Sequence, residues 1–197
     1  MQESDELKYW RRFIEGEIDA LSKLYLLYVN DLFIYGMKIY PDEDAVKDAI
    51  QEVFIQLIKN RDKIQATNNS KVYILKSLRN KIIEELRSKN RKHKINTLVF
   101  NFESQIESDV ESILIISEEE KYMKEKMTNS LNKLSEHQRE AIYLRFTKNY
   151  NYEQIAEIMN ISISSARTLI YRSIKQIKSI IAVKKQNRNI ESNSKIL

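Results

Sequence analysis

The chain has 197 residues, of which only two are glycine and one is proline. All-β sandwiches and barrels need a tight turn about every 8–12 residues, usually built on those two residue types, so the composition excludes most all-β folds. The absence of cysteine excludes disulfides and thiolate metal sites. With 42% hydrophobic residues, 31% charged residues and a net charge of +5, we expect a folded, all-α protein.

The charge lies in alternating blocks along the chain. Residues 71–94 carry 9 Lys or Arg and 2 Asp or Glu, a net charge of +7. Residues 95–120 carry 7 acidic and no basic residues, a net charge of −7. Residues 158–197 carry 8 basic and 1 acidic residue, again +7. A solvated helix face would explain either basic block alone, but two of them favour a polyanionic partner.

Helical periodicity dominates the first half of the chain, and Pro41 interrupts it. A buried stripe is predicted before the proline, at Leu21, Leu24, Tyr25, Tyr28, Leu32 and Phe33. Asp42 is expected to cap the next helix. Its apolar face is predicted at Ala45, Ala49, Ile50, Val53, Phe54, Leu57 and Ile58.

A polar loop at 61–70 is expected to precede a further helix, capped by Ser70, that carries the first basic block. Residues 91–118 lack a sustained helical face and indicate an acidic linker between two small helical domains. We expect domains at 1–90 and 119–185 and a tail at 186–197. From the residues alone, the linker is interpreted as a solvated tether.

Capping patterns define the helices of the second domain. Ser135 with Gln138, and Asn151 with Gln154, each have the spacing of a capping box. The second of these has asparagine where the motif usually has serine or threonine, and asparagine is also a favoured N-cap residue.

YEQIAEIMNISISSARTLIYRSI has the layout of a helix-turn-helix, with Ala156 at the crossing point of the helices. Asn160 is expected in the left-handed region that ends the first helix, and Ser162 is expected to cap the second. Ala166, Ile170, Ile174 and Ile177 are predicted to point inward. The outer face suits DNA and comprises Ser164, Ser165, Arg167, Thr168, Tyr171, Arg172 and Lys175. A plain helical hairpin is the alternative.

No catalytic constellation is evident. His93 and His137 lack metal-ligand spacing, and no carboxylate is paired with an evident base. We expect a non-enzymatic protein without cofactor, metal or small-molecule substrate. The start, MQESDELKYWRRF, lacks an apolar core, and no apolar stretch approaches 18 residues. We therefore expect neither a signal peptide nor a membrane span, and a cytoplasmic location.

Taken together, both halves resemble the sigma-70 family of bacterial RNA polymerase subunits, most closely the small extracytoplasmic-function (ECF) group. DAIQEVFIQLI at 48–58 and KVYILKSLRNKIIEELR at 71–87 carry the resemblance in the first half. SEHQREAIYLRF and the helix-turn-helix carry it in the second. The resemblance implies that the outer face of the helix-turn-helix binds the −35 promoter element. Leu169 stands where the family often has arginine.

The resemblance also implies docking on the clamp of the largest subunit of core RNA polymerase. Asp48, Gln51 and Glu52 occupy positions i, i+3 and i+4, share one helix face and would form the docking ridge. A solvated face is the alternative reading from the helix alone. Linkers of the family thread channels of the polymerase, so the resemblance implies that the acidic stretch at 95–120 follows positive walls there; a solvated tether is the alternative. Members of the family are usually held inactive by a membrane-anchored anti-sigma factor, so such a partner is expected.

The helix at 71–87 resembles the segment that reads and opens the −10 promoter element. The implied contacts are Asn68, Asn69, Lys71, Tyr73, Lys76, Arg79 and Asn80. Tyr73 would offer a stacking face where the family often has tryptophan, whereas the single tryptophan here is Trp10.

Two other classes of function stay open from the sequence. The first is a helix-turn-helix regulator that acts without docking on core polymerase. The second is an interaction protein that keeps the fold and titrates a sigma inhibitor. The segment DAIQEVF favours the sigma factor, because a plain regulator has no need of a polymerase-docking helix.

Overall fold

The computed structural model describes residues 5–64, 69–93 and 126–194, with side chains to residue 88 in the fourth helix and to residue 181 in the last. Within these ranges every regular element is helical, which confirms the predicted all-α class. The chain divides into two compact units. The predicted linker lies outside the described residues, except for its first three positions.

Among the described residues up to 93, the N-terminal unit is built from α1 (Asp5–Ile14), α2 (Ile18–Ile39), α3 (Glu43–Asn60) and α4 (Ser70–His93). A 3-10 turn at Arg61–Lys63 follows α3. Helix α2 packs against the other three, and α3 packs against α4. Helix α4 continues to His93 and so includes residues 91–93, which the sequence analysis assigned to the linker.

Both glycines have a structural reason. Gly16 joins α1 to α2 with φ of +113°, a conformation that L side chains rarely adopt. Gly36 lies where α2 crosses α3, and a Cβ there would stand 2.6 Å from Cγ1 of Val46. Pro41 lies between α2 and α3, and Asp42 caps α3 by accepting a hydrogen bond from the backbone N–H of Ala45 at 3.1 Å. The predicted cap is therefore confirmed.

The core of the N-terminal unit follows the predicted stripes with a small shift. Its largest fully buried side chains include Phe13, Leu24, Tyr28, Leu32, Tyr35, Ile74, Leu78 and Ile82. Two predicted core positions are wrong, because Tyr25 and Ile58 are 39% and 47% exposed. Both line an open groove between α2 and α3, where the ring of Tyr25 meets that of Phe54 edge-on at 5.0 Å. Val46 is buried instead.

The start of α4 differs from the prediction. The cap is Asn69, whose Oδ1 accepts a hydrogen bond from the backbone N–H of Val72 at 3.1 Å. Ser70, the predicted cap, is buried and hydrogen-bonded to the hydroxyl of Tyr28 at 2.8 Å. The polar side chain next to the cap thus joins α4 to α2.

The helices of the C-terminal half are a helix that includes residues 126–132 (α5), α6 (Glu136–Ile142), α7 (Tyr152–Met159) and α8 (Ile163–Ser194). Helix α6 continues into one turn of π-helix at Tyr143–Thr147. The π turn was not predicted. It ends shortly before Asn149, which has a left-handed φ of 56°.

Both predicted capping boxes are confirmed. Ser135 Oγ accepts from the backbone N–H of Gln138, and Gln138 Oε1 accepts from the backbone N–H of Ser135. Asn151 and Gln154 form the same reciprocal pair, at 2.8 and 2.9 Å. The sequence therefore places the starts of α6 and α7 correctly.

The turn between α7 and α8 is also as predicted. Asn160 has φ of 54°, and the N–H of Ile161 donates to the carbonyl of Ala156 at 3.0 Å, as in a Schellman motif. Ser162 caps α8, because its Oγ accepts from the N–H of Ser165 at 3.1 Å. Asparagine thus supplies the left-handed residue that glycine usually provides.

Candidate nucleic-acid interfaces

The outer face of α8 is open to solvent along its described side chains. All seven residues predicted to bind the −35 element are exposed: Ser164, Ser165, Arg167, Thr168, Tyr171, Arg172 and Lys175. Tyr171, the aromatic residue of this set, has 67% of its surface exposed. The inner face is as predicted at Ala166 and Ile170, which are buried. The outer face of α8 thus presents basic and hydroxyl side chains, and its inner face packs through apolar side chains.

The first turn of α8 is bordered by hydroxyl groups. Ser162 Oγ lies 2.9 Å from Ser164 Oγ and 2.7 Å from Ser165 Oγ. These small side chains would let the backbone of a helix N-terminus approach a DNA groove closely, and a helix N-terminus attracts phosphate. The arrangement therefore suits a recognition helix that enters a groove with its first turn.

Helix α7 contributes residues that the sequence analysis missed. Arg167 lies 3.9 Å from the carboxylate of Glu153 and 5.5 Å from the ring centroid of Tyr152. The guanidinium of Arg145 lies 5.0 Å from the centroid of the same ring, and its Nη1 donates to the carbonyl of Tyr150 at 3.0 Å. The sequence signal that could have indicated these contacts is Tyr152, an aromatic residue at the first position of α7.

On α4, the predicted −10 residues differ in their surroundings. The ammonium of Lys71 forms an ion pair with Asp31 at 2.5 Å and lies 5.7 Å from the ring centroid of Tyr28. Arg79 is buried, with 5% of its surface exposed. Lys76 is half-buried and Asn80 is exposed. The helix therefore presents fewer open cations than its sequence suggests.

Tyr73 is half-buried and supported from behind by the single tryptophan of the chain. The ring centroids of Tyr73 and Trp10 are 5.7 Å apart at an interplanar angle of 53°, and Trp10 is buried. Trp10 thus supports the ring of Tyr73, and its own ring is not exposed for stacking on a base. Of the remaining −10 candidates, Asn69 is the cap of α4, and Asn68 lies outside the described residues.

A polar cleft of about 310 Å³ lies between α3 and α4. It brings Tyr73 and Asn80 of the −10 set together with Glu52 of the docking set. Gln56, Asn60, Ser77, Lys81 and Glu84 also line it. The structure thus joins residues that the sequence analysis placed in two separate sites.

The three docking candidates on α3 do not all face the same way. Asp48 and Gln51 are exposed, whereas Glu52 is half-buried. Gln51 lines the α2–α3 groove, of about 720 Å³, and Glu52 lines the α3–α4 cleft. The Glu52 carboxylate accepts a hydrogen bond from Gln56 Nε2 at 2.7 Å, which lowers its pKa and keeps it ionised.

In the part of the chain that the structure describes, no cluster of His, Asp and Glu is suited to hold a metal ion. None of the helices described combines the length and the apolar character that crossing a membrane requires.

Two family models match the chain. The model described as Sigma-70 region 2 matches residues 24–92, from the second turn of α2 to the last turn of α4. The model described as Sigma-70, region 4 matches residues 124–177, which include α5, α6, α7 and the first part of α8. The matches therefore cover both units in the order that the sequence analysis expected.

Two relatives from Bacillus subtilis (strain 168) align with most of the chain. ECF RNA polymerase sigma factor SigM is 24% identical over 165 residues, which are 82% of this chain and 94% of SigM. ECF RNA polymerase sigma factor SigX is 23% identical over 163 residues, which are 81% of this chain and 82% of SigX.

Two solved structures share the fold. CnrH, in a complex with the cytosolic domain of CnrY, superposes with a TM-score of 0.59 at 13% identity, covering 91% of this chain and 99% of CnrH. RpoE, in a complex with the anti-sigma factor NepR from Bartonella quintana, superposes with a TM-score of 0.57 at 19% identity. The second alignment covers 84% of this chain and 99% of RpoE.

Proposed function

Because the chain belongs to the sigma-70 family, in its ECF group, we propose that it binds core RNA polymerase and directs it to promoters with −35 and −10 elements. Proteins of this family are non-enzymatic initiation factors. The observation that carries the proposal is the presence of a region 2 match and a region 4 match, in this order, in one chain. Promoter opening would be driven by binding energy alone.

The −35 element is assigned to α8. Its outer face combines a hydroxyl-rich first turn with Arg167, Arg172 and Lys175, all exposed. Side chains of these types contact phosphates and base edges in the major groove. Tyr171, with 67% of its surface exposed, can add contact with the sugar-phosphate backbone.

The −10 element is assigned to α4 and the cleft beside it. Tyr73 can stack on an unpaired base, and Asn80 can bond a base edge. Lys76 and Lys81 would contact phosphates. Extruding a base costs a few kcal/mol, and stacking on an aromatic ring returns about 1–3 kcal/mol, so a rigidly supported Tyr73 favours the melted strand.

Core polymerase would dock on the outer surface of α3 through Asp48, Gln51 and Glu52. Around the axis of α3, Asp48 lies between Gln51, which faces the α2–α3 groove, and Glu52, which faces the α3–α4 cleft. A partner helix laid along α3 could therefore contact all three side chains. The docking surface is acidic, which suits a basic partner helix.

An anti-sigma factor is the proposed regulator. The CnrH and RpoE structures are both complexes, and that of RpoE is named as a complex with an anti-sigma factor. We place the protein in the cytoplasm, where RNA polymerase works, and an anti-sigma factor in the membrane would hold it at the inner face.

Run-off transcription with purified bacterial core RNA polymerase on a promoter library tests the proposal. The wild-type chain should co-elute with core enzyme and give promoter-dependent transcripts. The variant Gln51→Ala with Glu52→Ala should bind core enzyme at least tenfold more weakly, because both side chains lie on the docking surface. The matched control is Asp5→Ala with Lys8→Ala, two exposed positions on α1.

Three outcomes separate the candidate functions. DNA binding by the free chain without association with polymerase would indicate a helix-turn-helix regulator. Association with core enzyme but no transcript would leave an interaction protein. Loss of core binding in the α1 control as well as in the α3 variant would contradict the assigned docking surface.

A further inference from the structure

The three basic side chains on the outer face of α8 differ in their surroundings. Arg167 is held by two residues of α7, at 5.5 Å from the ring centroid of Tyr152 and 3.9 Å from the carboxylate of Glu153. Among the residues that the structure describes, no ion pair or ring contact restrains Arg172 or Lys175, and both are exposed. The guanidinium of Arg167 is therefore held in one orientation, whereas the side chains of Arg172 and Lys175 can adopt several.

The ring that orients Arg167 is itself fixed from behind. Tyr152 is half-buried at the first position of α7, directly after the capping residue Asn151. The guanidinium of Arg145 lies 5.0 Å from the ring centroid and donates to the carbonyl of Tyr150. A chain of contacts thus runs from the π turn through the Tyr152 ring to the DNA-facing surface.

Base reading and phosphate binding make different demands on an arginine. A bidentate contact with guanine needs two N–H groups in one plane at a fixed position, whereas a phosphate can be contacted from many directions. Immobilising a long side chain on binding costs free energy, and a side chain that is already oriented avoids most of that cost. The restraint on Arg167 is therefore an advantage for reading a base.

From these contacts we infer that Tyr152 and Glu153 are positioning residues that hold Arg167 for a base contact in the −35 element. Arg167 then sets specificity, while Arg172 and Lys175 supply phosphate contacts that are independent of sequence. The inference rests on the proposed function, because it assigns roles within the −35 surface.

Glu153 has a second effect on the same surface. Its carboxylate is 58% exposed next to a DNA-facing arginine, so it repels phosphates and offsets part of the charge of Arg167. Contact between Arg167 and the DNA phosphate backbone is thereby disfavoured. Contact with a base edge at the position where Tyr152 and Glu153 hold the guanidinium is not. Glu153 should lower affinity for arbitrary DNA and raise discrimination, which is a common way to gain specificity.

The experiment uses the full chain reconstituted with core RNA polymerase. Wild-type holoenzyme first selects a duplex from a pool in which the upstream promoter element is randomised. Holoenzyme affinity is then measured for the selected duplex and for each of its single-base-pair variants. Tyr152→Leu should reduce discrimination at one base pair by about tenfold, the scale of one good base contact, and leave the salt dependence unchanged. Tyr152→Phe keeps the ring and should restore discrimination.

Glu153→Gln provides an independent test, because the side chain is exposed and its replacement leaves the helix intact. We expect binding to an arbitrary duplex to tighten by about twofold to fivefold as one repulsive charge is lost. Discrimination at the same base pair should fall. In the Arg167→Ala background, Tyr152→Leu should cause no further loss, because its effect passes through Arg167.

The outcomes distinguish this inference from the proposed function. If wild-type holoenzyme selects no duplex, the proposed function itself is contradicted. If selection succeeds but Tyr152→Leu weakens all duplexes equally, or adds its effect to that of Arg167→Ala, Tyr152 has a merely structural role and the inference is overturned. Full discrimination in Glu153→Gln overturns it as well, even if Tyr152→Leu does not fold.

Discussion

Helices α4 and α8 carry the two basic blocks of the chain, each with a net charge of +7 over its block, and they present that charge differently. On α8 all seven predicted DNA contacts are exposed. On α4 the ammonium of Lys71 is paired with Asp31, and Arg79 is buried. Equal charge in the sequence therefore corresponds to unequal availability for DNA.

The difference follows from how each helix is packed. Helix α4 packs against α2 and α3, and polar side chains of its first turn bond to α2 through Tyr28 and Asp31. No such packing covers the outer face of α8 among the residues that the structure describes. We therefore expect α8 to bind duplex DNA by charge, and α4 to act through a few supported side chains such as Tyr73.

The largest expected effect breaks this comparison directly. Arg172→Ala with Lys175→Ala on α8 should lower the affinity of the chain for an arbitrary 30-bp duplex by about 10- to 100-fold and reduce the salt slope by about 2. Lys71→Ala with Lys76→Ala on α4 should reduce that slope by about 1 at most, because Lys71 is paired with Asp31. Fluorescence anisotropy titrations at several salt concentrations measure both slopes.

The same two variants should rank in the opposite order when stability is measured, with the larger effect in the α4 variant. The α4 variant should lose about 1 kcal/mol of unfolding free energy, because removing Lys71 breaks its part-buried ion pair with the carboxylate of Asp31. The α8 variant should be as stable as wild type. Equal salt slopes for the two variants would contradict the unequal availability of the basic side chains on α4 and α8.

A second prediction sharpens the structural role of α4 by pH. Burial raises the pKa of Tyr28 to about 12, above the ordinary value of about 10, so folding favours the protonated hydroxyl that bonds to Ser70. The contribution of Tyr28 to the free energy of unfolding is fully present below pH 10 and is lost as the pH rises towards 12. Between pH 8 and pH 11, we expect the free energy of unfolding of the N-terminal unit to fall by about 1 kcal/mol.

Trp10 is the single tryptophan and is buried in this unit, so its fluorescence in urea titrations reports the unfolding. Tyr28→Phe is the matched control, because it lacks the ionisable hydroxyl. The variant should start from a lower stability, since Ser70 loses its partner, but should show a smaller change between the two pH values. Equal pH dependence in both proteins would rule out Tyr28 as the titrating group.

Local features of this fold could be predicted from sequence because they depend on residues three or four positions apart. The caps at Asp42, Ser135, Asn151 and Ser162 and the left-handed Asn160 are all of this kind. Hydroxyl, carboxylate and amide side chains satisfy the free N–H groups of a helix start in any tertiary context.

Long-range partners could not be predicted in the same way. Lys71 and Asp31 are 40 residues apart, Tyr28 and Ser70 are 42 apart, and Trp10 lies behind Tyr73 only after α1 and α4 pack. A single sequence contains no signal for such pairs. The assignment of Ser70 as a cap failed for this reason, because its hydroxyl has a tertiary partner and the neighbouring Asn69 caps instead.

The smallest expected effect tests whether Asn69 serves α4 only as a cap or also contacts the −10 element, as the sequence predicts. Asn69→Ala should cost about 1 kcal/mol of stability, whereas Asn69→Asp retains a capping oxygen and should stay within about 0.5 kcal/mol of wild type. If Asn69 contacts DNA, the new negative charge should still lower run-off transcription several-fold. Ser135→Ala removes the cap of a different helix, α6, and shows what cap loss alone does to transcription. Wild-type transcription by Asn69→Asp would restrict Asn69 to capping, because a carboxylate at a DNA contact repels the phosphates around it.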